Sequence, residues 1–322
     1  VSRRGFLPLA ILLLAACATA RRDTPPRGEH ELPPGAEAWS LFGEPLFPSP
    51  LDAATRADRE ARLAEARARF ESEPDSADAA IWLGRRTAYL GRFREAIALY
   101  SAAIARFPGE PRLYRHRGHR FLTVRRFDVA VADLETAAQL VAGKPDEVEP
   151  DGLPNARNLP TSTLQSNVWY HLGLALYLTG HFEPALAAYR ECEKVSNNPD
   201  QLVATTHWLY MTLRRLGRDA EAEAALEPIR DGMDVIENRD YHRLLLLYRG
   251  KVDDETLLAE EDSGNAVSAA TIGYGVGNWH LYNGRRQEAV SQFRRVIAGG
   301  SWASFGYIAA EAELSRMGLP PR

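Results

Sequence analysis

Five positions in this chain recur at a fixed interval, and that recurrence limits the fold more than any other feature. Gly84, Phe93, Ala96, Tyr100 and Ala103 return 34 residues later as Gly118, Phe127, Ala130, Leu134 and Ala137. A third set, Gly173, Phe182, Ala185, Tyr189 and Cys192, follows after 55 residues, which is one period plus a 21-residue insertion. Gly180, Gly217, Gly250 and Gly284 then mark turns at intervals of 37, 33 and 34 residues. A period in this range means that each copy is a small unit unable to bury its own apolar face, so copies must stack. The content of a copy is a helical hairpin. Ile81 to Leu90 is apolar at helical spacing, Gly91-Arg92 interrupts it, Phe93 to Phe107 resumes it, and Pro108-Gly109 ends the pair. Gly84 and Ala96 let the two helices approach closely, and Tyr100 fills the space beside them.

A 34-residue helix-turn-helix with Leu-Gly, then Ala-x3-aromatic, then Pro resembles the tetratricopeptide repeat family. Trp169, Leu172, Gly173, Ala185 and Tyr189 carry the fullest version of the pattern. The resemblance covers 77–144, 166–236 and 270–303. It implies an all-α fold, a TPR-like right-handed solenoid of helical hairpins with a concave face. Capping helices are expected at both ends, because a terminal repeat otherwise exposes its apolar side. Residues 51–76, with Leu63, Ala66 and Phe70 at helical spacing, supply the N-terminal cap. Residues 301–322, with Phe305, Ile308, Ala309 and Leu314 inward, supply the C-terminal one. Between them lie repeats 1–2 (77–144), the insertion (145–165), repeats 3–4 (166–236), a degenerate copy (237–269) with Glu255 where alanine is expected, and a last repeat (270–300).

The first residues read as an address. Arg3 and Arg4 precede a short apolar run from Phe6 to Leu14, and Leu14-Ala15-Ala16-Cys17 ends it with small residues. Such a run is too short to span a bilayer as a mature helix. The ending resembles the lipobox of bacterial lipoproteins, which implies a signal peptide over 1–16 and acylation (palmitate) of Cys17. An ordinary secretory signal containing a cysteine is the alternative. Ala18, in place of aspartate, resembles lipoproteins sent to the outer membrane, facing the periplasm. Ser2-Arg3-Arg4-Gly5-Phe6-Leu7 also looks like a twin-arginine motif, so the export route stays open. Residues 17–50 form a Pro- and Gly-rich tether. Its aromatic stretch Trp39 to Phe47 is expected to fold back on the array.

Candidate binding residues come from the first helix of each repeat, which the resemblance places on the concave groove. They are Arg85 and Tyr89, then Arg112, Arg115 and His119, then Asn167, Tyr170 and Tyr177, and finally His207 and Arg214. Arg112, Arg115, His116 and His119 sit three and four apart on one helix face. Arg, His, Asn and Tyr together suit carboxylates, an acidic peptide or a glycan. The competing reading is a solvated face balanced by nearby acids. His116-x2-His119 has usable spacing for two metal ligands. However, four arginines within nine residues repel a cation, so no metal is expected. The insertion opens with Asp146, Glu147, Glu149 and Asp151, beside the Arg-rich second repeat. It would either cover the groove as a lid or neutralise the arginines as an internal strut, and the strut is favoured.

Other features argue against chemistry. Cys192 occupies the slot of Ala103 and Ala137, as a small buried residue would. Gly273-Tyr-Gly-Val-Gly277 lacks the Lys-Ser/Thr and the preceding strand of a phosphate loop. No nucleophile elbow, metalloprotease or zinc-finger spacing occurs. A net charge of −4 argues against nucleic acid as a partner. The expected function is a membrane-tethered scaffold or adaptor, without cofactor, that binds an envelope protein or acidic peptide in its groove. The alternatives are a glycan- or anion-binding lipoprotein, and an enzyme with its site under the 145–165 insertion.

Overall fold

The computed structural model describes residues 31–260 and 265–322. The signal segment, Cys17 and the start of the tether lie outside the described residues. From Leu32 onward the chain is one body of stacked helical hairpins. After a leading helix, α1 (Ala53–Ser72), come α2 (Ala77–Tyr89) with α3 (Phe93–Arg106), α4 (Pro111–Thr123) with α5 (Phe127–Val141), and α6 (Leu164–Leu178) with α7 (Phe182–Val195). Next are α8 (Pro199–Arg215) with α9 (Asp219–Ala225), α10 (Arg239–Tyr248) with α11 (Asp254–Glu260), and α12 (Ala266–Tyr282) with α13 (Arg286–Ala298). A last helix, α14 (Phe305–Arg316), ends the array. Among the described residues the only strands are two of two residues each, β1 (Ala38–Trp39) and β2 (Pro45–Leu46), paired antiparallel. Among the described residues no helix is long and apolar enough to cross a membrane.

The recurring small residues have the packing role their spacing suggests. A Cβ on Gly84 would stand 2.3 Å from the Tyr100 ring, and one on Gly173 would stand 2.7 Å from Tyr189. Gly118 meets Leu134 in the same way, and Gly277 meets Phe293. Four of the six described hairpins are therefore closed by a large side chain laid on a bare backbone. Gly277 belongs to the Gly273–Gly277 segment, which is the middle of α12 and carries no loop. Starts are set by side chains that accept from free backbone N–H groups. Ser76 caps α2, Asn198 caps α8, and Thr163 forms a reciprocal capping box with Ser166 at α6. The copy over 237–269 is shortened, since α10 has ten residues and α11 seven.

Two segments leave the hairpin pattern and turn inward. The insertion is closed at its base, where Glu149 N donates to Ser162 O and Leu164 N donates to Glu147 O. From there it lies over α2 and α4. Helix α14 packs on α12 and α13 and also reaches α6. Residues 306–314 are buried without a break, including Glu311 and Glu313. An amphipathic end cap has one wet face; this helix has none over those nine residues. A Cβ on Gly306 would lie 2.1 Å from the Ala270 carbonyl oxygen, so the α14 backbone rests directly on α12. The β1–β2 hairpin is laid against this assembly. Its Leu41 N donates to Glu311 Oε1 at 2.6 Å, and Trp302 Nε1 donates to the Phe47 carbonyl.

Candidate binding site

The inner surface is made by the first helices of the hairpins, and most of the expected site residues meet other parts of the chain there. Arg85 Nη2 donates to Pro150 O at 2.8 Å, and its guanidinium lies over the Trp82 ring. The Tyr89 hydroxyl fills the space beside Gly152, where a Cβ would approach it to 1.7 Å. Arg112 is held at the edge by Glu110 and Asp78. Arg115 is only 8% exposed, with Nε 3.2 Å from Glu149 Oε2. Glu149 also accepts from Asn167 Nδ2 at 3.0 Å and lies 3.5 Å from His116 Nε2. One carboxylate of the insertion thus joins α4 to α6. Asp146 instead accepts from Gln165 N at the foot of α6, and Glu147 contributes its backbone.

Farther along, Tyr170, His119 and His171 surround Phe305 of α14, with ring centroids 5.2–6.4 Å from it. Tyr170 also accepts from Trp208 Nε1 and exchanges a hydrogen bond with Tyr241. Tyr177 is buried and bonded to Tyr274 and Asn278 of α12. His207 stacks on Tyr241 and bonds the Tyr248 hydroxyl. Arg214 lies at the rim with Tyr210, Asn283 and Asp219. Burial, reinforced by the Arg115 or Arg120 charge, holds the imidazoles of His116, His119 and His171 well below the ordinary range. Burial alone lowers His207 to about 3. These rings are neutral at pH 7. No group of three His, Cys, Asp or Glu placed to hold a metal ion occurs among the described residues. The Cys192 thiol, buried against Thr205, is pushed up to about 11 by desolvation.

Two arginines are not among the binding residues expected from the sequence. The first is Arg125, at the α4–α5 turn. Its Nε donates to Glu311 Oε2 at 2.9 Å and its Nη2 to Trp302 O at 2.8 Å, with both ionic partners almost fully buried. Arg215 does the same for Glu313. The signal was present, because Arg125 stands one period after Gly91, where a turn glycine belongs. The second is Arg120, which faces the space under the insertion and lies over the Phe93 ring at 5.5 Å.

This is the architecture of a repeat solenoid whose inner face is shaped by the first helix of each hairpin. Residues 166–199 match the family model described as tetratricopeptide repeat, so α6 and α7 form a tetratricopeptide repeat hairpin within this array. No curated protein matches the sequence. Solved structures that resemble it include a tetratricopeptide repeat protein from Parabacteroides merdae, 15% identical, covering 81% of this chain and 95% of that one, with a TM-score of 0.46. Another is YrrB, described as a TPR protein with an unusual peptide-binding site. It is 15% identical and covers 73% of this chain and 91% of its own, with a TM-score of 0.40. Superpositions this loose bear on neither site nor partner.

Proposed function

We propose that the protein is a lipid-anchored interaction scaffold of the bacterial cell envelope, acylated at Cys17 and facing the periplasm from the outer membrane. Its solenoid takes an acidic segment of a partner protein on the inner face. One observation carries the partner half: the inner face already holds two acidic segments of its own chain through arginine. Glu149 of the insertion lies on Arg115, and Glu311 and Glu313 of α14 lie on Arg125 and Arg215. Charge-assisted pairs of this kind are strong and geometrically selective. A partner presenting carboxylates gains the same pairs by displacing the insertion. The anchor half rests on Leu14-Ala15-Ala16-Cys17.

Site-specific photo-crosslinking in intact cells tests the partner half. A photoreactive side chain at Tyr89, beneath the insertion, should yield adducts with a discrete envelope protein. The same probe at Glu135, exposed on α5, should not. Adducts from Glu135 alone would contradict the inner-face reading. Cys17→Ser tests the anchor, because it should move the protein out of the membrane fraction. Retention there with an acylated mature mass would defeat that half.

A further inference from the structure

Between α2, α4 and the insertion lies a half-open cavity of about 170 Å³. Arg85 and Tyr89 line one side, Arg115, His119 and Arg120 another, and Tyr100 the floor. Glu149 to Asp151 and Ser162 form the roof. Three guanidinium groups face two carboxylates there, which leaves one positive charge in excess. A purely structural strut would give each arginine an acceptor. Arg85 has Pro150 O, and Arg115 has Glu149 beside it. Arg120 has neither hydrogen bond nor ion pair with any described residue, and its one close partner is the face of Phe93.

The groups that act on Arg120 electrostatically confirm its isolation. They are the Tyr100 and Tyr89 hydroxyls and the like charges of Arg115 and Arg85, with no carboxylate among the leading influences. Burial lowers it to about 10, so it remains charged at neutral pH. Arg115 adds a second open donor, since its buried Nε makes no hydrogen bond despite lying 3.2 Å from Glu149. Leaving a half-buried charge unpaired is unfavourable, and an anion placed among these donors relieves it. His119 also has an uncommitted ring N–H or lone pair facing the same space, and the tyrosine hydroxyls can donate. A water occupies about 30 Å³ of liquid volume, so the space suits a small molecule and no polypeptide.

We propose that this cavity is a binding site for a small oxyanion of one or two negative charges, held by charge-assisted hydrogen bonds from Arg120 and Arg115. Phosphate and compact carboxylates share this chemistry. The site shares Arg115 and its roof with the inner face proposed above, but its occupancy by an anion is tested without any partner protein. The roof carboxylate of Glu149 supplies selection, because it repels anions too large to sit clear of it.

Calorimetric titration of the purified protein at low ionic strength tests the proposal, with inorganic phosphate, sulfate and succinate as separate probes. Wild type should bind at least one of them at a single site in the millimolar range or tighter, and the rank among the three distinguishes phosphoryl from carboxylate ligands. Arg120→Gln should weaken that binding by about tenfold or more, the loss of one charge-assisted hydrogen bond. Arg157→Gln, at the exposed tip of the insertion and paired with Asp234, should leave it unchanged. Thermal melting without anion keeps the comparison clean, since Arg120 has no protein partner to lose and Arg120→Gln should melt no lower than wild type. The bound anion should raise the wild-type midpoint and not that of the variant. Absence of heat with all three probes overturns the proposal. So does equal affinity in wild type and Arg120→Gln, or equal weakening by Arg157→Gln.

Discussion

Arg125 occupies a left-handed backbone position, φ 63°, that five of the other hairpin turns give to glycine, among them Gly91 at 79° and Gly180 at 81°. A side chain there costs about 1–3 kcal/mol. The offset is its buried ion pair with Glu311, together with hydrogen bonds to Thr123 O and Trp302 O. Arg125→Gly relieves the backbone but strands Glu311. Because breaking a buried pair costs about 3–5 kcal/mol, the net loss after that relief should be about 2 kcal/mol by denaturant unfolding. A neutral or stabilising result would mean that the pair does not outweigh the backbone strain. The buried imidazoles of His116, His171 and His207 make a second prediction at this scale. Burial lowers each of them, so the unfolded chain binds their protons more readily than the folded one. Stability is therefore full above the ordinary histidine value of about 6.5 and falls as pH drops below it, by up to about 1.4 kcal/mol per pH unit for each ring. For His207 the fall extends toward about pH 3. Unfolding midpoints compared at about pH 7 and about pH 5 check this, and equal midpoints would contradict it.

Helix α14 and the insertion are the elements that decide what the inner face offers. Gly306→Ala should destabilise by about 1–3 kcal/mol, because its Cβ meets the backbone of Ala270 and no side chain can swing away. Gly109→Ala, with open space around it, should cost far less and serves as the control. Arg115→Ala leaves the buried Glu149 without its ion-pair partner and should lower stability by about 3–5 kcal/mol. Arg112→Ala, at the more open edge with Glu110 and Asp78, should cost about 1 kcal/mol or less. If both cost the same, Glu149 is not anchoring the insertion. The hairpins themselves were legible because their glycine, alanine and aromatic slots repeat in step. The destination of α14 was not. Its sequence FGYIAAEAELSR puts two glutamates where a terminal helix would be wet, and only Arg125 and Arg215, distant in sequence, make their burial possible. The acidic opening of the insertion was likewise readable as a counter-charge to the arginines. That Glu149 alone among the first three acids reaches Arg115 depends on how the loop closes at Val148 and Thr163. Arg120 was visible within the basic run, but its lack of a partner is a property of three-dimensional packing.

At the scale of the molecule, a chain of net charge −4 buries Arg115, Arg125 and Arg215 and pairs each with one of its own glutamates. A solenoid of hairpins gains most of its stability from contacts between neighbours. Here α14 adds contacts between repeats far apart, joining the α4–α5 turn, α6, α8 and α12 through one buried helix. Such cross-links should make unfolding more cooperative than in an open array, with α14 released only when several hairpins open together. The central claim is that α14 is an interior element of the solenoid. Hydrogen–deuterium exchange of the native protein measures this directly. Amides of residues 306–314 should exchange as slowly as those in the middle of α6 and α12. If instead they exchange within seconds while α6 and α12 stay protected, α14 is a loosely docked end and the account of the inner face fails.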